Sequence, residues 1–227
     1  MISIIIPVYD EESILEETLS DLVPKVNGGE IILVDGKSSD RTLEIAGRFG
    51  QVVVSERGRG SQLNAGAKAA AGDVLLFLHA DCRLEEGAME AIVEAMDDSA
   101  LVGGCFRQRI DGDGFGFRLI EFGIHLRSSW WHMMYGDQGV FVRRSVFFEI
   151  GGFPEIPLME DVELSKRLRR AGRTRVIDKT LTSSARRWQR LGKFRTTATN
   201  WSLRLLHAVG VSSQTLARIY YGNSNGR

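Results

Sequence analysis

Ionisable side chains recur in this sequence at one kind of place, immediately after short apolar runs. Tyr9-Asp10-Glu11 follows Ile2 to Val8, Asp35-Gly36 follows Glu30 to Val34, Glu56-Arg57 follows Gln51 to Val54, and His79-Ala80-Asp81 follows Val74 to Leu78. One Asp after a strand is ordinarily a turn former or a helix cap. Four polar clusters in succession exceed what chain reversal needs, and in a parallel sheet they meet outside the carboxyl ends of the strands, where ligands bind. The glycine cradles that usually hold phosphate are missing. The first strand-to-helix turn, Pro7-Val8-Tyr9-Asp10-Glu11, has no glycine, and Gly58-Arg59-Gly60-Ser61 lacks the Lys and Ser/Thr pair of a P-loop. A diphosphate would instead be met by a hard divalent cation, held by few carboxylates and completing its shell with phosphate oxygens. Asp81 is the ligand candidate. The four histidines, His79, His125, His132 and His207, show no HExxH or zinc-type spacing, and no Ser, His and Asp grouping suggests acyl transfer.

The elements that must position these groups follow from apolar spacing. The four runs are rich in Val, Ile and Leu, as parallel strands covered on both faces are. Between them the spacing predicts helices over Glu11 to Val26, Asp40 to Phe49 and Ser61 to Ala71, the last closed by Gly72, with a fourth over Glu85 to Met96. Strand and helix alternating through short links imply an α/β fold, a Rossmann-like and mostly parallel sheet flanked by helices. Beyond Leu101 come a strand carrying Phe106, Gln108 and Ile110, a Gly-rich turn, an amphipathic helix to Arg127, an aromatic loop from Trp130 to Tyr135 and a strand over Val140 to Arg143. A helix over Glu160 to Ala171, a short strand near Val176 and basic helices from Gln189 to Tyr221 complete the order.

The 227 residues carry 29 Lys plus Arg and 29 Asp plus Glu, but this neutrality is a cancellation. Residues 1–163 hold 14 basic and 28 acidic side chains, and residues 164–227 hold 15 basic and one acidic, Asp178. A hydrophobic share of 43% excludes a disordered or collagen-like chain. Cys82 and Cys105 are too far apart for a CxxC ligand pair and too few for a disulfide framework, so a reducing cytoplasm is expected. The apolar N-terminal run stops at Pro7 without a basic leader, and no stretch approaches the roughly 18 apolar residues of a membrane span. No nucleic-acid partner is expected, and nothing points to an oligomeric state. Phe194, Ala198, Trp201 and Leu205 recur at helical spacing among Lys193, Arg195 and Arg204. That segment reads either as a peripheral element at the inner membrane surface or as a helix packed on the main domain with solvated charges.

Several stretches in this order resemble the family 2 glycosyltransferases of the GT-A fold. They are Ile4-Ile5-Ile6-Pro7-Val8-Tyr9-Asp10-Glu11, Ile31-Ile32-Leu33-Val34-Asp35-Gly36 with Ser38-Ser39-Asp40, Asn64-Ala65-Gly66, and Leu75-Leu76-Phe77-Leu78-His79-Ala80-Asp81. Gly136-Asp137-Gln138-Gly139, Gly151-Gly152-Phe153 and Met159-Glu160-Asp161 extend the likeness, which covers residues 2 to 190. Within the family the chain is most similar to small bacterial members grouped with radical-SAM and selenium-domain proteins. The resemblance implies a GT-A domain over residues 1–190 and a basic amphipathic helical extension over 191–227.

It also implies roles. Pro7, Tyr9, Glu11 and Asp35 match positions that hold the base and ribose of a nucleotide sugar, Arg57 lies beside the diphosphate, and Ala80 is the middle of the metal-binding triplet. Asp81 matches the last carboxylate of that triplet. Its first position is His79 instead of Asp, so Mn²⁺ or Mg²⁺ would rest on Asp81 alone or recruit imidazole. The family's usual Asn before Glu11 is Asp10. Asp161 matches the catalytic base that takes the acceptor proton during inversion, beside Glu160; Asp137 and Gln138 lie on the acceptor side, and the aromatic and thioether cluster around Trp131 reads either as core packing or as a cover for the acceptor. Arg186-Arg187-Trp188 resembles a basic-aromatic motif that some members place over the diphosphate. A sugar nucleotidyltransferase would want a Gly-rich, Arg-containing loop after the first strand, which is absent. A binding or scaffold protein that has lost catalysis is the non-enzymatic alternative, suggested by His79 and the basic tail.

Overall fold

The first strand has no solvent-facing side. Ile4, Ile5 and Ile6 are all fully buried, because their side chains alternate between two helical layers. The computed structural model describes residues 1–222, with the side chains of all but Arg187 and Phe194. In chain order the elements begin with β1 (Ile2–Val8), α1 (Leu15–Leu22), β2 (Glu30–Asp35), α2 (Thr42–Ala46), β3 (Gln51–Val54), α3 (Arg59–Ala69) and β4 (Val74–Phe77). They continue with β5 (Cys82–Leu84), α4 (Ala88–Met96), β6 (Leu101–Asp111), α5 (Phe115–Trp130) and β7 (Val140–Arg143). The chain closes with α6 (Arg144–Glu149), α7 (Glu160–Ala171), β8 (Arg173–Ser184), α8 (Arg186–Leu191), α9 (Lys193–Ala208) and α10 (Ser213–Gly222).

Eight strands form one sheet in the order β3-β2-β1-β4-β7-β6-β8-β5. The first four pair in parallel, as their apolar runs predict. The other half is mixed: β7 runs antiparallel to β4 and β6, and β5 antiparallel to β8, while β6 and β8 are parallel. One layer packs Leu15, Leu19 and Leu22 of α1 on Ile4, Ile6 and Leu33. The opposite layer packs Leu63 and Ala67 of α3 and Leu164 and Leu168 of α7 on Ile5, Val34 and Leu75. Gly66 lets α3 lie close on the sheet, since a Cβ there would collide with Ile5 Cγ2 and stand 2.8 Å from Val34 Cγ2. Asn64, two residues earlier, exchanges two hydrogen bonds with the backbone of Phe153, at 2.9 and 3.0 Å, and so ties the Gly151-Gly152-Phe153 turn to α3.

Three expectations change. The strand near Val176 is not short: β8 runs for 12 residues and pairs with β6 along most of its length. Its residues are largely polar, so no apolar run announces it. The helix predicted over Glu11 to Val26 is helical only from Leu15 and ends as a 3₁₀ turn at Val23–Lys25, where Pro24 lacks a donor. The C-terminal helices are not an appendage. Leu203 and Leu216 are buried against Tyr135, Met159 and Val162, so the boundary drawn at residue 190 separates segments that share a core. No helix among the described residues is long and apolar enough to cross a membrane.

Candidate active site

The carboxyl ends of β1 and β2 are stapled by one side chain. Gln62 of α3 is buried and donates to the carbonyls of Val8 at 3.0 Å and Val34 at 2.8 Å. This fixes the turn in which Asp35, also buried, accepts from the Ser38 N–H and hydroxyl. Asp10 stands in the left-handed region, with φ of 50°, a conformation that Asn and Asp tolerate better than other non-glycine residues. The Asn-to-Asp change therefore preserves the backbone: the Asp10 carboxylate accepts from Ser39 N–H at 2.8 Å, and its own N–H donates to Ser38 Oγ at 3.0 Å. Tyr9 and Arg57 come together as a stacked pair, the guanidinium carbon 3.8 Å from the ring centroid. Pro7 is half-buried and lines a small depression with Arg59 and His79, and Ala80 is buried.

Asp81 and Glu11 face each other across the strand ends with one guanidinium between them. Arg186 Nη2 lies 3.6 Å from Asp81 Oδ2 and 3.9 Å from Glu11 Oε2. Burial raises the pKa of Glu11, Arg186 opposes the shift, and Asp81 adds to it. Arg186 was named in the sequence only as part of a basic-aromatic motif. The fold brings it beside Asp81 and Glu11 because β8 ends at Ser184, two residues earlier.

Asp161 opens α7 and is held by two backbone donors. Its Oδ2 accepts from Gly136 N–H at 3.0 Å and its Oδ1 from Val162 N–H at 2.7 Å. Glu160 beside it is buried and paired with Arg59 at 3.4 Å. Its carboxyl pKa is raised by burial and by Asp161, against the pull of Arg59. The His79 ring sits on the Asp161 side, since a Cβ on Gly136 would come within 2.9 Å of Nε2. Burial and Arg59 push its pKa down to about 4, so the imidazole is neutral near pH 7. Arg59 was not singled out by sequence reasoning, although its place just after the third strand was a signal. Asp81, His79, Asp137, Glu160 and Asp161 all border one depression of about 250 Å³, which Arg204 of α9 also borders.

The acceptor-side expectations divide. Asp137 stands at the depression, its Oδ2 accepting from Gln108 Nε2 at 3.0 Å. Gln138 is fully buried: its Oε1 accepts from Arg127 Nη2 at 2.8 Å and from Tyr135 N–H at 3.2 Å, while its Nε2 has no hydrogen-bond partner among the described residues. Trp131 is exposed beyond the end of α5 and borders neither of the two depressions around His79 and Asp161. Cys82 and Cys105 are both buried free thiols with raised pKa, that of Cys105 pushed up to about 12 by burial, which removes them as nucleophiles.

The described residues contain no group of three or more His, Cys, Asp and Glu side chains able to hold a metal ion. An all-protein cage does not fit. One edge carboxylate, Asp81, does fit a cation that draws its remaining ligands from a diphosphate, the usual arrangement for Mg²⁺ at phosphate sites.

A parallel four-strand half with carboxylates at its carboxyl ends, joined to a mixed half that carries a helix-borne Asp, defines a GT-A glycosyltransferase architecture. The fold is similar to that of the mannosyltransferase PcManGT from Pyrobaculum calidifontis, solved with GDP-Man and Mn²⁺, with a TM-score of 0.66 and 18% identity over 80% of this chain and 56% of that one. It is also similar to residues 1–349 of TarS from S. aureus, solved with UDP-GlcNAc, with a TM-score of 0.63 and 18% identity over 81% and 58% of the two chains. The family model for glycosyl transferase family 2 matches residues 3–154, and the chain belongs to that family. Among curated relatives it is 28% identical over 200 residues to the probable glycosyltransferase YdaM of Bacillus subtilis, covering 75% of this chain and 47% of the relative. It is 31% identical over 166 residues to a PGL/p-HBAD biosynthesis glycosyltransferase of Mycobacterium bovis, covering 67% and 63%. The chain thus spans about half the length of the first of these relatives.

Proposed function

We propose that the chain transfers a sugar from a nucleoside diphosphate donor to an acceptor hydroxyl, with inversion at the anomeric carbon. The observation that carries this reading is the placement of Asp161 and Asp81 on one depression, the first oriented by Gly136 N–H and the second at the strand-end turn. Asp161 takes the proton of the acceptor hydroxyl while that oxygen forms its bond to the anomeric carbon. The bond from that carbon to the diphosphate oxygen breaks from the opposite face, and the departing nucleoside diphosphate carries the negative charge away. Arg186, at the Asp81 edge, meets that developing charge, and Arg57 on Tyr9 is the next cation along the strand ends. Mn²⁺ or Mg²⁺ held by Asp81 and the diphosphate would supply further charge neutralisation at the leaving group. Asp35, Tyr9 and Glu11 then hold the nucleoside, and Glu160 with Arg59 braces the base. The two unpaired cysteines suit a reducing, cytoplasmic setting.

Calorimetry with UDP and GDP, with and without Mn²⁺ or Mg²⁺, tests the donor side, followed by a donor screen for nucleotide release. A metal-dependent signal supports the transferase. A second reading, a nucleotide-free scaffold, rests on Arg186 already neutralising Asp81 and Glu11; silence from every nucleotide would favour it.

A further inference from the structure

We propose that the trough between α5 and α9 seats the apolar chain of one membrane lipid whose hydroxyl-bearing head is the acceptor. This deepens the transferase reading and rests on it. The trough holds about 720 Å³, inside the ~300–1,000 Å³ range of small-molecule sites. Its walls are two helices that turn apolar side chains outward. Phe115 and Leu119 on α5 and Trp201 on α9 line it and are exposed, Phe115 to 82%; Phe122 of α5 and Leu205 of α9, also exposed, extend the two apolar stripes at helical spacing outside the trough. Gly123 and Ile124 line the trough between the walls. Two adjacent outward apolar stripes are a patch that a water-facing surface does not require.

The inner end of the trough differs from its walls. Asp137, Trp188, Asn200 and Arg204 border both the trough and the catalytic depression, so the two spaces are continuous. Three polar atoms along the trough are buried without a hydrogen-bond partner among the described residues: Asp137 Oδ1, Trp188 Nε1 and Thr197 Oγ1. Buried polar atoms in a folded protein are nearly always paired, so orphans along an apolar channel, two of them at its inner end, mark where a ligand's polar group belongs. An amphiphile satisfies both halves at once, its chain against the stripes and its hydroxyl head against Asp137. A protein partner would cover the stripes and leave those atoms unmet.

Charge points to the bilayer as the source of that lipid. From Arg186 to Gly222 the chain has no acidic residue, while Arg190, Lys193, Arg195, Arg204 and Arg218 are basic. Lys193 lies over the Phe117 ring at the outer end of α5, 3.9 Å from its centroid. Amphipathic elements with aromatic and basic side chains lie in the interface of anionic membranes.

The test uses the tryptophans in and beside the trough as reporters. Vesicles of phosphatidylcholine and phosphatidylglycerol carrying a nitroxide on one acyl chain are titrated into the full chain, and fluorescence quenching gives the affinity. Gly123→Leu places a side chain in the trough, and nothing lies within 4 Å of the added Cβ. We expect quenching in the parent protein, weakened on the order of tenfold or more by Gly123→Leu. Leu119→Asn, at an exposed wall position, is the second variant, expected to weaken it a few-fold. UDP and GDP binding by both variants should be unchanged. Equal quenching in Gly123→Leu would overturn the proposal, because the face would then lie on the membrane without admitting a chain. No quenching in the parent, with sedimentation showing a dimer, would overturn it in favour of a second copy covering the stripes. A normal nucleotide signal without quenching removes the trough and leaves the transferase; quenching with silence from every nucleotide removes the transferase and with it the acceptor role.

Discussion

The half of the molecule proposed to hold the donor, the donor half, and the half proposed to meet the acceptor, the acceptor half, treat their polar groups in opposite ways. At the ends of β1 and β2, Asp35, Asp10 and Gln62 are already engaged with Ser38, Ser39 and two carbonyls, so the nucleoside side is rigid before any ligand arrives. Around the Gly136–Gln138 turn and α9, Asp137, Trp188 and Thr197 each keep a buried atom unmatched. A preformed site costs little to bind, whereas a site with orphans waits for a ligand to complete it. The contrast teaches that the strand-end turns of this fold are self-sufficient, whereas the region proposed to meet the acceptor leaves buried polar atoms unmatched among the described residues.

Asp161→Asn is the sharpest way to separate the halves. Removing the base should lower transfer on the order of 10²- to 10⁴-fold, the usual worth of general base catalysis. The side-chain carbonyl of Asn can still accept from Gly136 N–H, so calorimetric nucleotide binding should stay near the parent value. Loss of both would mean that Asp161 holds the cleft together instead of acting in the reaction.

Arg186→Ala strikes the seam between the halves. Arg186 is half-exposed, so the fold should be indifferent, and its contribution lies in the charge it offers beside Asp81 and Glu11. Loss of one donor to a developing negative charge costs about 10²-fold in kcat in comparable sites. Higher metal should restore part of the rate if a cation and Arg186 share the same charge. A kcat unaltered at every metal concentration would remove Arg186 from the leaving-group side.

The donor half was the readable one. Its four strands are nearly continuous apolar runs, each short enough to be recognised alone, and the polar clusters follow them directly in the chain. The acceptor half depends on meetings across the fold that no local pattern records. β8 is polar and takes its identity from β6, Arg59 reaches Glu160 across 101 positions, and Gln108 finds Asp137 across 29. The basic C-terminal helices were visible as helices, yet their burial of Leu203 and Leu216 on the cleft wall was not, because amphipathic spacing does not name the surface it packs on. Gln138 and Trp131 show how little a local stretch says about exposure: one proves fully buried and the other lies on the surface beyond the end of α5, which only packing reveals.

Gly66→Ala probes the rigid half by stability. The new Cβ gains roughly 0.5–1 kcal/mol of helix preference over Gly. It also collides with Ile5 and Val34 in a packed layer, and overpacking of this kind costs about 1–3 kcal/mol. The steric cost outweighs the helical gain, so the urea midpoint should fall, with nucleotide affinity falling as the Gln62 staple shifts. An unchanged midpoint would show that α3 can slide on the sheet, and the contrast in rigidity between the two halves would lose its basis.

The smallest effect is expected at Glu160, where the acceptor half carries a buried charge. Its folded-state pKa is raised by burial and by Asp161, while in the unfolded chain it titrates near the ordinary value of 4.5. As pH climbs past 4.5 the unfolded chain releases the proton first and the folded protein still holds it, so this residue makes stability decline with rising pH until the folded-state pKa is passed. Glu160→Gln removes that slope. Arg59 loses its partner, but its half-exposed guanidinium is reached by water, which limits the penalty. Urea midpoints compared from pH 4.5 upward should therefore fall less steeply in the variant than in the parent. Parallel curves would mean that Arg59 fully compensates the buried carboxylate, and the acceptor half would then be as well satisfied at its base as the donor half is at its strand ends.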